Sequence, residues 1–216
     1  MVNVFVYAVS YDLGFAPNPF GGLCSLACCK PNIRQRASGG DWIIGLTGAN
    51  LKPEKRCVFG MLVTGDMTFD EYWVHPDFAT RRPKRNGAMK KQVGDNIYHR
   101  VTADAPWVQE DSAHSLQDGR QCSLNTEHDT RINRVLLSDR FIYFGASAPL
   151  VPPDILNRLG YTKNARDYRR FDVNEARALI DWLEPQLDAR PNAVLDDPID
   201  FDSSSKRFSA SLRRMV

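Results

Sequence analysis

The chain has 216 residues, which is enough for one domain with a sizeable hydrophobic core, or one domain with appendages. Its 43% hydrophobic and 25% charged residues are typical of a globular protein. The net charge of +2 excludes a globally basic nucleic-acid-binding surface, and no apolar run approaches the roughly 18 residues of a membrane span. We therefore expect no membrane partner, and any phosphate contacts must be local.

The first residues predict a strand followed by an unusually constrained loop. Residues 3–9, NVFVYAV, are apolar with β-branched and aromatic side chains, as in a strand. They lack the basic segment of a signal peptide, which favours a cytoplasmic location. The stretch YDLGFAPNPFGGLCSLACCKP, residues 11–31, then contains three Gly, three Pro and three Cys. This density of turn residues predicts a rigid loop.

The middle of the chain predicts strands separated by short helical turns. DWIIGLTG, 41–48, and CVFGMLVTGDM, 57–67, are two apolar strand signals. Pro31 suits the first turn of a short helix over PNIRQRAS, 31–38. A further helical turn is predicted over TFDEYWVHPDF, 68–78.

The second half predicts a hairpin and one clear helix. NRVLLS, 133–138, and FIYFG, 141–145, predict the two strands of the hairpin. Apolar residues at helical spacing predict a helix over 172–187. We expect a domain over 1–150 and a C-terminal helical extension with a loose tail over 151–216.

The five cysteines predict a reducing compartment, because an odd number with Cys28 and Cys29 adjacent does not suit an ordered disulfide framework. Three interpretations of Cys24 and Cys29 stay open. They can pack as buried thiols, bind a structural zinc together with His114 or Cys122, or provide a nucleophile. The helix that begins after Cys29 offers an electrostatic arrangement that suits a thiolate.

A second group of chemically active side chains lies in GDNIYHR, 94–100, and EDSAHSLQDG, 110–119. His114, close in sequence to Asp111 and Asp118, is a candidate general base, and His99 is a candidate base or phosphate ligand. Alternatively, these polar residues satisfy the backbone of turns. With the thiols, the candidate catalytic residues are Cys24, Cys29, His114, Asp111 and His99.

Several sequence blocks occur in order over about residues 5–150. The longest is AVSYDLGFAPNPFGGLCSLACCKPNIRQRASGGDWIIG, and the others are FDEYWVHPDF, RRPKRNGAMKKQVGDNIYHR, WVQEDSAHS, DGRQCSLNTEHDTRINRVLLS and FIYFGASAP. Together they resemble the second family of nucleotide modification associated domains. The resemblance implies a bacterial or phage system that hypermodifies bases in DNA, with DNA or a nucleotide and other base-modification enzymes as partners.

A weaker similarity concerns the fold. The Gly–Asp–Trp start of the strand at 41–48, the next strand and FDEYW are similar to the PUA-like superfamily, which includes the EVE and YTH readers of modified bases. This similarity implies an α+β fold with a small, strongly bent β-barrel decorated with helices. Such domains hold an extruded base in an aromatic-walled pocket.

Six side chains are candidates for contacts with a base. Trp42 and Trp73 can either form walls on which a base stacks, at about 1–3 kcal/mol per base, or pack in the core. Asp12 and Asn18, in the loop after the first strand, could meet a base edge. The candidate base-binding residues are Asp12, Asn18, Phe20, Trp42, Trp73 and Tyr98.

The run RRPKRNGAMKK, 81–91, carries six Lys or Arg in 11 residues. By itself such a run is typical of a solvated surface, but beside the resemblance we interpret it as a loop that contacts phosphates. The candidate phosphate-binding residues are Arg34, Arg81, Arg82, Lys84, Arg85 and Arg100. No complete metal-ligand set and no cofactor motif is evident in the sequence, so the cofactor stays unknown.

Two classes of function stay open, and a structural partner of a modification complex is a third. The first is an enzyme that tailors a nucleobase, for example a 7-deazaguanine or a modified pyrimidine, with a Cys nucleophile and a His base. A base in duplex DNA would have to be flipped out to be reached. The second is a non-catalytic reader of the modified base.

Overall fold

A computed structural model describes residues 2–165 and 167–216. The helices are α1 (Pro31–Arg36), α2 (Phe69–Val74), α3 (Met89–Gln92), α4 (Ser123–Thr130), α5 (Pro153–Arg158) and α6 (Arg177–Ala189), with 3₁₀ turns at Pro76–Arg81, Gly145–Ser147 and Phe201–Ser203. The strands are β1 (Asn3–Val9), β2 (Cys24–Leu26), β3 (Trp42–Thr47), β4 (Cys57–Leu62), β5 (Gly65–Met67), β6 (Tyr98–His99), β7 (Val108–Gln109), β8 (Val135–Ser138), β9 (Arg140–Tyr143), β10 (Arg169–Asp172), β11 (Ala193–Val194), β12 (Phe208–Ser209) and β13 (Arg214–Met215). In the described part of the chain, no helix is long and apolar enough to cross a membrane.

The largest sheet has six strands in the order β10-β1-β3-β4-β9-β11. Strands β1 and β3 are parallel, as are β9 and β11, and the other neighbours are antiparallel. Smaller sheets are β2-β8-β5, β6-β7 and β12-β13. The α+β class is therefore confirmed. The predicted small bent β-barrel does not close in the described residues, because β10 and β11 are the two unpaired edges of an open sheet. The PUA-like assignment stays a prediction.

Both faces of the six-stranded sheet are buried, because side chains of β1 alternate between two apolar clusters. Val4 and Val6 pack on the face that α6 covers with Leu183 and its apolar neighbours. Phe5 and Tyr7 belong to the cluster on the opposite face. Burying a large apolar side chain stabilises a fold by about 1.5–3 kcal/mol, so both layers contribute to stability.

The predicted hairpin over 133–145 is wrong. Strand β8 belongs to the three-stranded sheet, where Ser138 is opposite Cys24, whereas β9 belongs to the six-stranded sheet. Only Asp139 separates the two strands, and the tight hairpin connections have two residues. The Ser138 Oγ instead accepts a hydrogen bond from the backbone N–H of Arg140 at 3.2 Å, in a bend that carries the chain from one sheet to the other.

The segment after residue 150 contributes directly to the six-stranded sheet. Strand β10 pairs with β1, placing Asn3 opposite Asp172, and β11 pairs with β9. Residues on both sides of the predicted boundary at 150 therefore share one sheet. The predicted helix over 172–187 begins later, at Arg177, because Asp172 ends β10 and its carboxylate accepts the N–H of Asn174 in a turn.

Candidate active site

A cavity of about 510 Å³ lies where β1 ends. Its wall includes the residues after that strand, the start of α1, the loop before α4 and the end of α4. The volume lies within the range of about 300–1,000 Å³ that is usual for small-molecule sites. Cys29 and His114 both line this cavity.

Three side chains form a hydrogen-bonded relay in the cavity wall. The Sγ of Cys29 lies 3.3 Å from Nε2 of His114, and Nδ1 of the same ring lies 2.8 Å from Oδ2 of Asp129. Cys29 is partly accessible, and Asp129 is fully buried. A thiol, an imidazole and a carboxylate in this order can perform nucleophilic catalysis, in which the base takes the thiol proton and the carboxylate orients the base.

Cys29 lies in a sharp turn between β2 and α1. Its φ of 58° and the φ of 40° at Lys30 are both left-handed, a conformation that non-glycine residues adopt at a cost. Pro31 follows as the first residue of α1, with no N–H of its own. A strained strand-to-helix turn that projects a nucleophile is the arrangement used by α/β-hydrolases, and here it points Cys29 at the cavity.

Asp129, in α4, connects the nucleophile to the base. Its Oδ1 accepts the backbone N–H of Cys29 at 2.8 Å and contacts His128 Nδ1 at 3.2 Å. Its Oδ2 accepts the hydroxyl of Tyr98 at 3.0 Å as well as the His114 ring. Four donors surround the buried carboxylate, which is what a buried charge requires.

Arg34, predicted to contact phosphate, is instead buried beneath the relay. Its Nε donates to the carbonyl of Cys29 at 3.0 Å, and its Nη2 donates to the carbonyl of Asp129 at 2.5 Å. Its Nη1 donates to the carbonyls of Ile132 and Arg134. Arg34 therefore holds the turn of the nucleophile against α4 and presents no group to a phosphate.

The backbone of His114 is held from two directions. Its carbonyl accepts the side-chain amide of Asn125 at 2.8 Å and that of Gln109 at 3.3 Å. The ring packs edge-on against Phe15, with the ring centres 4.9 Å apart. The imidazole therefore keeps one orientation toward Cys29, which general-base catalysis requires.

The relay is electrically polarised. Burial alone would lower the pKa of His114, but the neighbouring Cys29 and Asp129 raise it well above its ordinary value. Burial alone would raise the pKa of Asp129, but His114, His128 and Arg34 hold it well below its usual range. The raised pKa makes His114 a stronger base than an ordinary imidazole, which suits it to accept the proton of the Cys29 thiol.

The other thiols of the opening loop have different surroundings. Cys24 is fully buried in the core, and burial raises the pKa of its thiol strongly. Cys28, with its thiol 3.7 Å from the carbonyl of Asp95, is buried too, and burial also raises its pKa. Neither has the accessibility of a nucleophile.

Cys28, His114 and Asp129 could be considered as metal ligands, because their ligand atoms lie within 4.8 Å of one another. Both ring nitrogens of His114 are already hydrogen-bonded within the relay. A metal would also need Cys28 as a thiolate, which its apolar burial opposes. These side chains are therefore better suited to the hydrogen-bonded relay than to binding a metal.

Comparison with known families matches residues 1–205 to nucleotide modification associated domain 2. The chain belongs to this family. The resemblance seen in the sequence is thereby confirmed, and it supports a role in nucleotide or DNA modification. No curated protein and no solved structure matches the chain.

Two further catalytic candidates, Asp111 and His99, are not part of the relay. Asp111, predicted beside His114, instead accepts the Nε of Arg207 at 2.8 Å. His99 lies 2.9 Å from the carboxylate of Glu110. The carboxylate that contacts His114 is that of Asp129, which was not among the candidates predicted from the sequence. Its only sequence signal is its place in the block DGRQCSLNTEHDTRINRVLLS, because nothing local distinguishes a buried Asp in a short polar helix.

Two polar base-binding candidates stabilise loops. The Asp12 carboxylate is buried, and it accepts the hydroxyl of Tyr143 and, at 3.0 Å, the backbone N–H of Ile199. The Asn18 amide is also buried and donates to the carbonyl of Val93 at 3.0 Å. Neither lines the cavity, so neither is placed to meet a base there.

The aromatic base-binding candidates also lie outside the cavity wall. Trp42 packs in the core beneath α6, and Phe20 lies 5.8 Å from the ring of Phe201. Trp73 stacks on His99 with the ring centres 3.9 Å apart. The fourth, Tyr98, is buried against Asp129.

The aromatic residues that do line the cavity are Tyr7, Tyr11 and Phe15. Tyr11 is 44% exposed, so its ring offers a surface at the mouth of the cavity. The signal that could have identified them is their position, because all three lie at the end of β1 or just after it.

The basic run does not form one phosphate-binding face. Arg81 is buried and donates to Ser25 Oγ at 2.7 Å. Arg82 lies over the ring of Trp73 at 3.9 Å, and Lys84 is exposed. The remaining two candidates bind carboxylates: Arg85 contacts Asp111 at 2.5 Å and Arg100 contacts Asp70 at 3.0 Å.

Proposed function

We propose that this chain is a cysteine-dependent enzyme that acts on a nucleotide or nucleobase. Cys29 is the nucleophile, His114 is the general base and then the general acid, and Asp129 orients His114. The observation that carries the proposal is the relay from Sγ through the imidazole to a buried carboxylate, with the first two groups facing a cavity. The family match supports a nucleotide or nucleobase as the substrate class.

The reaction class is substitution at an electrophilic carbon. After His114 Nε2 takes its proton, the Cys29 sulfur bonds to the carbon of a carboxamide or ester, and the π electron pair moves to oxygen. The carbonyl re-forms as the bond to the leaving group breaks, and His114 returns the proton to that group. Water then attacks the thioester with His114 as base, which frees Cys29 and leaves a carboxylic acid.

A nitrile carbon, such as that of a cyano-substituted deazaguanine, belongs to the same class of electrophile. Attack by sulfur moves the electron pair to nitrogen, and His114 protonates that nitrogen to give a thioimidate. Addition of water and loss of the thiol give an amide. Carbonyl and nitrile groups both suit the relay, because attack by sulfur on either of them develops charge on a single atom beside Cys29.

The cavity supports a substrate of nucleotide size. Tyr11 and Phe15 offer aromatic surfaces, on which a base can stack for about 1–3 kcal/mol. Lys30 and Arg131 line the same cavity and favour an anionic group, although Asp167 lies 3.8 Å from the Lys30 ammonium. We propose that phosphate is bound here and not by the run at 81–91.

We include in this proposal the substrate and the partners predicted from the sequence. The unit bound is a nucleotide with a modified base, either a 7-deazaguanine or a modified pyrimidine, free or extruded from DNA. Other base-modification enzymes would install the group that Cys29 attacks.

The test is nucleoside mass spectrometry of source cells in which the gene is deleted and then restored as wild type, Cys29→Ser or Cys57→Ala. Cys57 is buried in the core beneath α6, so it is a matched control for loss of a thiol. We expect wild type and Cys57→Ala to restore the same nucleoside or nucleotide, and Cys29→Ser to fail. Full restoration by Cys29→Ser would contradict catalysis and favour a reader or a structural partner.

A further inference from the structure

Tyr7 lies in the cavity wall and has a hydroxyl with no partner. The residue is on β1, lines the same cavity as Cys29 and is only 2% exposed. Within the described residues, its Oη has no hydrogen-bond partner. A buried hydroxyl without a partner is destabilising, so its presence calls for an explanation, and a role in binding or chemistry is one.

Two backbone positions in the turn of the nucleophile supply no donor to a substrate. In many acyl-transfer enzymes the N–H of the nucleophile itself stabilises the negative atom that forms during attack. Here the N–H of Cys29 donates to Asp129 at 2.8 Å, and Pro31 has no N–H. Neither position can donate a hydrogen bond to an anion formed beside the Cys29 sulfur.

We propose that the Tyr7 hydroxyl donates a hydrogen bond to the substrate oxygen or nitrogen that becomes negative when Cys29 attacks. This makes Tyr7 a catalytic residue, and it rests on the function proposed above. As the S–C bond forms, the π electron pair moves to that oxygen or nitrogen, and Tyr7 O–H contacts it. Tyr7 keeps its proton throughout, and His114 carries out all proton transfers.

The surroundings of Tyr7 keep it in the donor form. Burial, followed by the charge on Cys29, raises the pKa of Tyr7 well above its ordinary value, so the hydroxyl stays protonated at neutral pH. The ring is held by Phe59, with ring centres 5.9 Å apart, and by the Lys30 ammonium, 4.8 Å from its centre. The donor is therefore pre-organised, which is what stabilisation of a developing charge requires.

The experiment compares two probes on purified protein. p-Nitrophenyl acetate acylates a thiol through a negatively charged tetrahedral oxygen, whereas iodoacetamide alkylates it by direct displacement without one. In Tyr7→Phe we expect Cys29 acylation to fall about 100-fold, the loss typical for one such donor, with alkylation unchanged. Its melting temperature should equal or exceed that of wild type, because the hydroxyl removed has no partner.

Three variants separate the outcomes. Tyr161→Phe, in the core on the opposite face of the sheet, should react like wild type with both probes. Equal acylation of Tyr7→Phe and wild type would overturn the role of Tyr7 and leave the proposed function standing. A parallel fall in both rates would also overturn it, since it indicates a structural role. Equal acylation of Cys29→Ser and wild type would overturn the proposed function itself, and the role of Tyr7 with it.

Discussion

The backbone N–H of Cys29 donates a 2.8 Å hydrogen bond to the carboxylate of Asp129. The other oxygen of the same carboxylate contacts the His114 ring at 2.8 Å. One buried side chain therefore fixes both the turn of the nucleophile and the orientation of the base. The relay is consequently one structural unit, and its geometry and stability should change together.

Asp129→Asn tests this unit. The amide of the variant directs an N–H group at donors that hydrogen-bond to the carboxylate in wild type. Loss of one partner of a buried ion pair costs about 3–5 kcal/mol. We expect the free energy of unfolding in urea to fall by that amount, and alkylation of Cys29 to slow at least about tenfold. Asp118→Asn, an exposed residue paired with Arg120, is the control and should be nearly neutral. A variant as stable as wild type would contradict the role of Asp129.

The contribution of the relay to stability should depend on pH. The folded pKa of His114 is raised, so its contribution is complete below about pH 6.5 and is lost as pH rises through the folded pKa. The folded pKa of Asp129 is lowered from 3.8, so its contribution is present above that value and is lost as pH falls through the folded pKa.

The excess stability of wild type over Asp129→Asn should therefore be greatest between about pH 4 and 6.5 and decline in alkaline solution. Urea unfolding of both proteins at several pH values measures it. A difference that grows steadily above pH 7 would be inconsistent with a raised His114 pKa.

Arg81 should matter for folding and not for phosphate binding. It is buried and donates to Ser25 Oγ, and its Nη1 lies 3.9 Å from the Asp95 carboxylate. Arg81→Ala leaves that buried carboxylate without its cation, so we expect a loss of about 3–5 kcal/mol in urea unfolding. Lys84→Ala, at an exposed neighbour, should change stability by less than about 0.5 kcal/mol. A stable Arg81→Ala protein whose nucleotide binding became less salt-dependent would restore the phosphate interpretation.

The substitution Gly94→Ala tests the packing beside Arg81. A Cβ there would lie 2.2 Å from the carbonyl oxygen of Arg81 and 2.8 Å from the nitrogen of Pro83, both backbone atoms. Gly94→Ala should therefore cost about 1–3 kcal/mol or more, measured by urea unfolding. Gly39→Ala is the matched control, since no atom beyond its own chain neighbours lies within 4 Å of its Cβ position. Equal stability of the two variants would show that the loop accommodates the change.

Much of the fold was predictable where local patterns determine it. The strand over 3–9 matches β1, and the helix that begins at Pro31 matches the start of α1, because alternation and proline chemistry act locally. The hairpin was not predictable, because strands β8 and β9 are adjacent in sequence but pair in different sheets. Sheet membership depends on contacts such as that between Cys24 and Ser138, which local pattern does not reveal.

The candidate site was predictable only in part for a similar reason. The sequence identifies Cys29 and His114 as chemically active types, and their catalytic roles stay predictions. It identifies no partner for His114 correctly, because Asp111 is closer in sequence whereas Asp129 is closer in space. The burial of two arginines was also not predictable. Arg34 and Arg81 are of a residue type common in phosphate-binding surfaces, but both are buried in the structure.

The most direct test is the rate at which iodoacetamide alkylates each cysteine, resolved by peptide mass spectrometry in wild type and His114→Ala. We expect Cys29 to react fastest in the folded wild type at neutral pH and His114→Ala to slow only Cys29. Burial should protect the other four cysteines, Cys24, Cys28, Cys57 and Cys122. A Cys29 rate no faster than that of free cysteine and unchanged in His114→Ala would contradict the relay as a catalytic device.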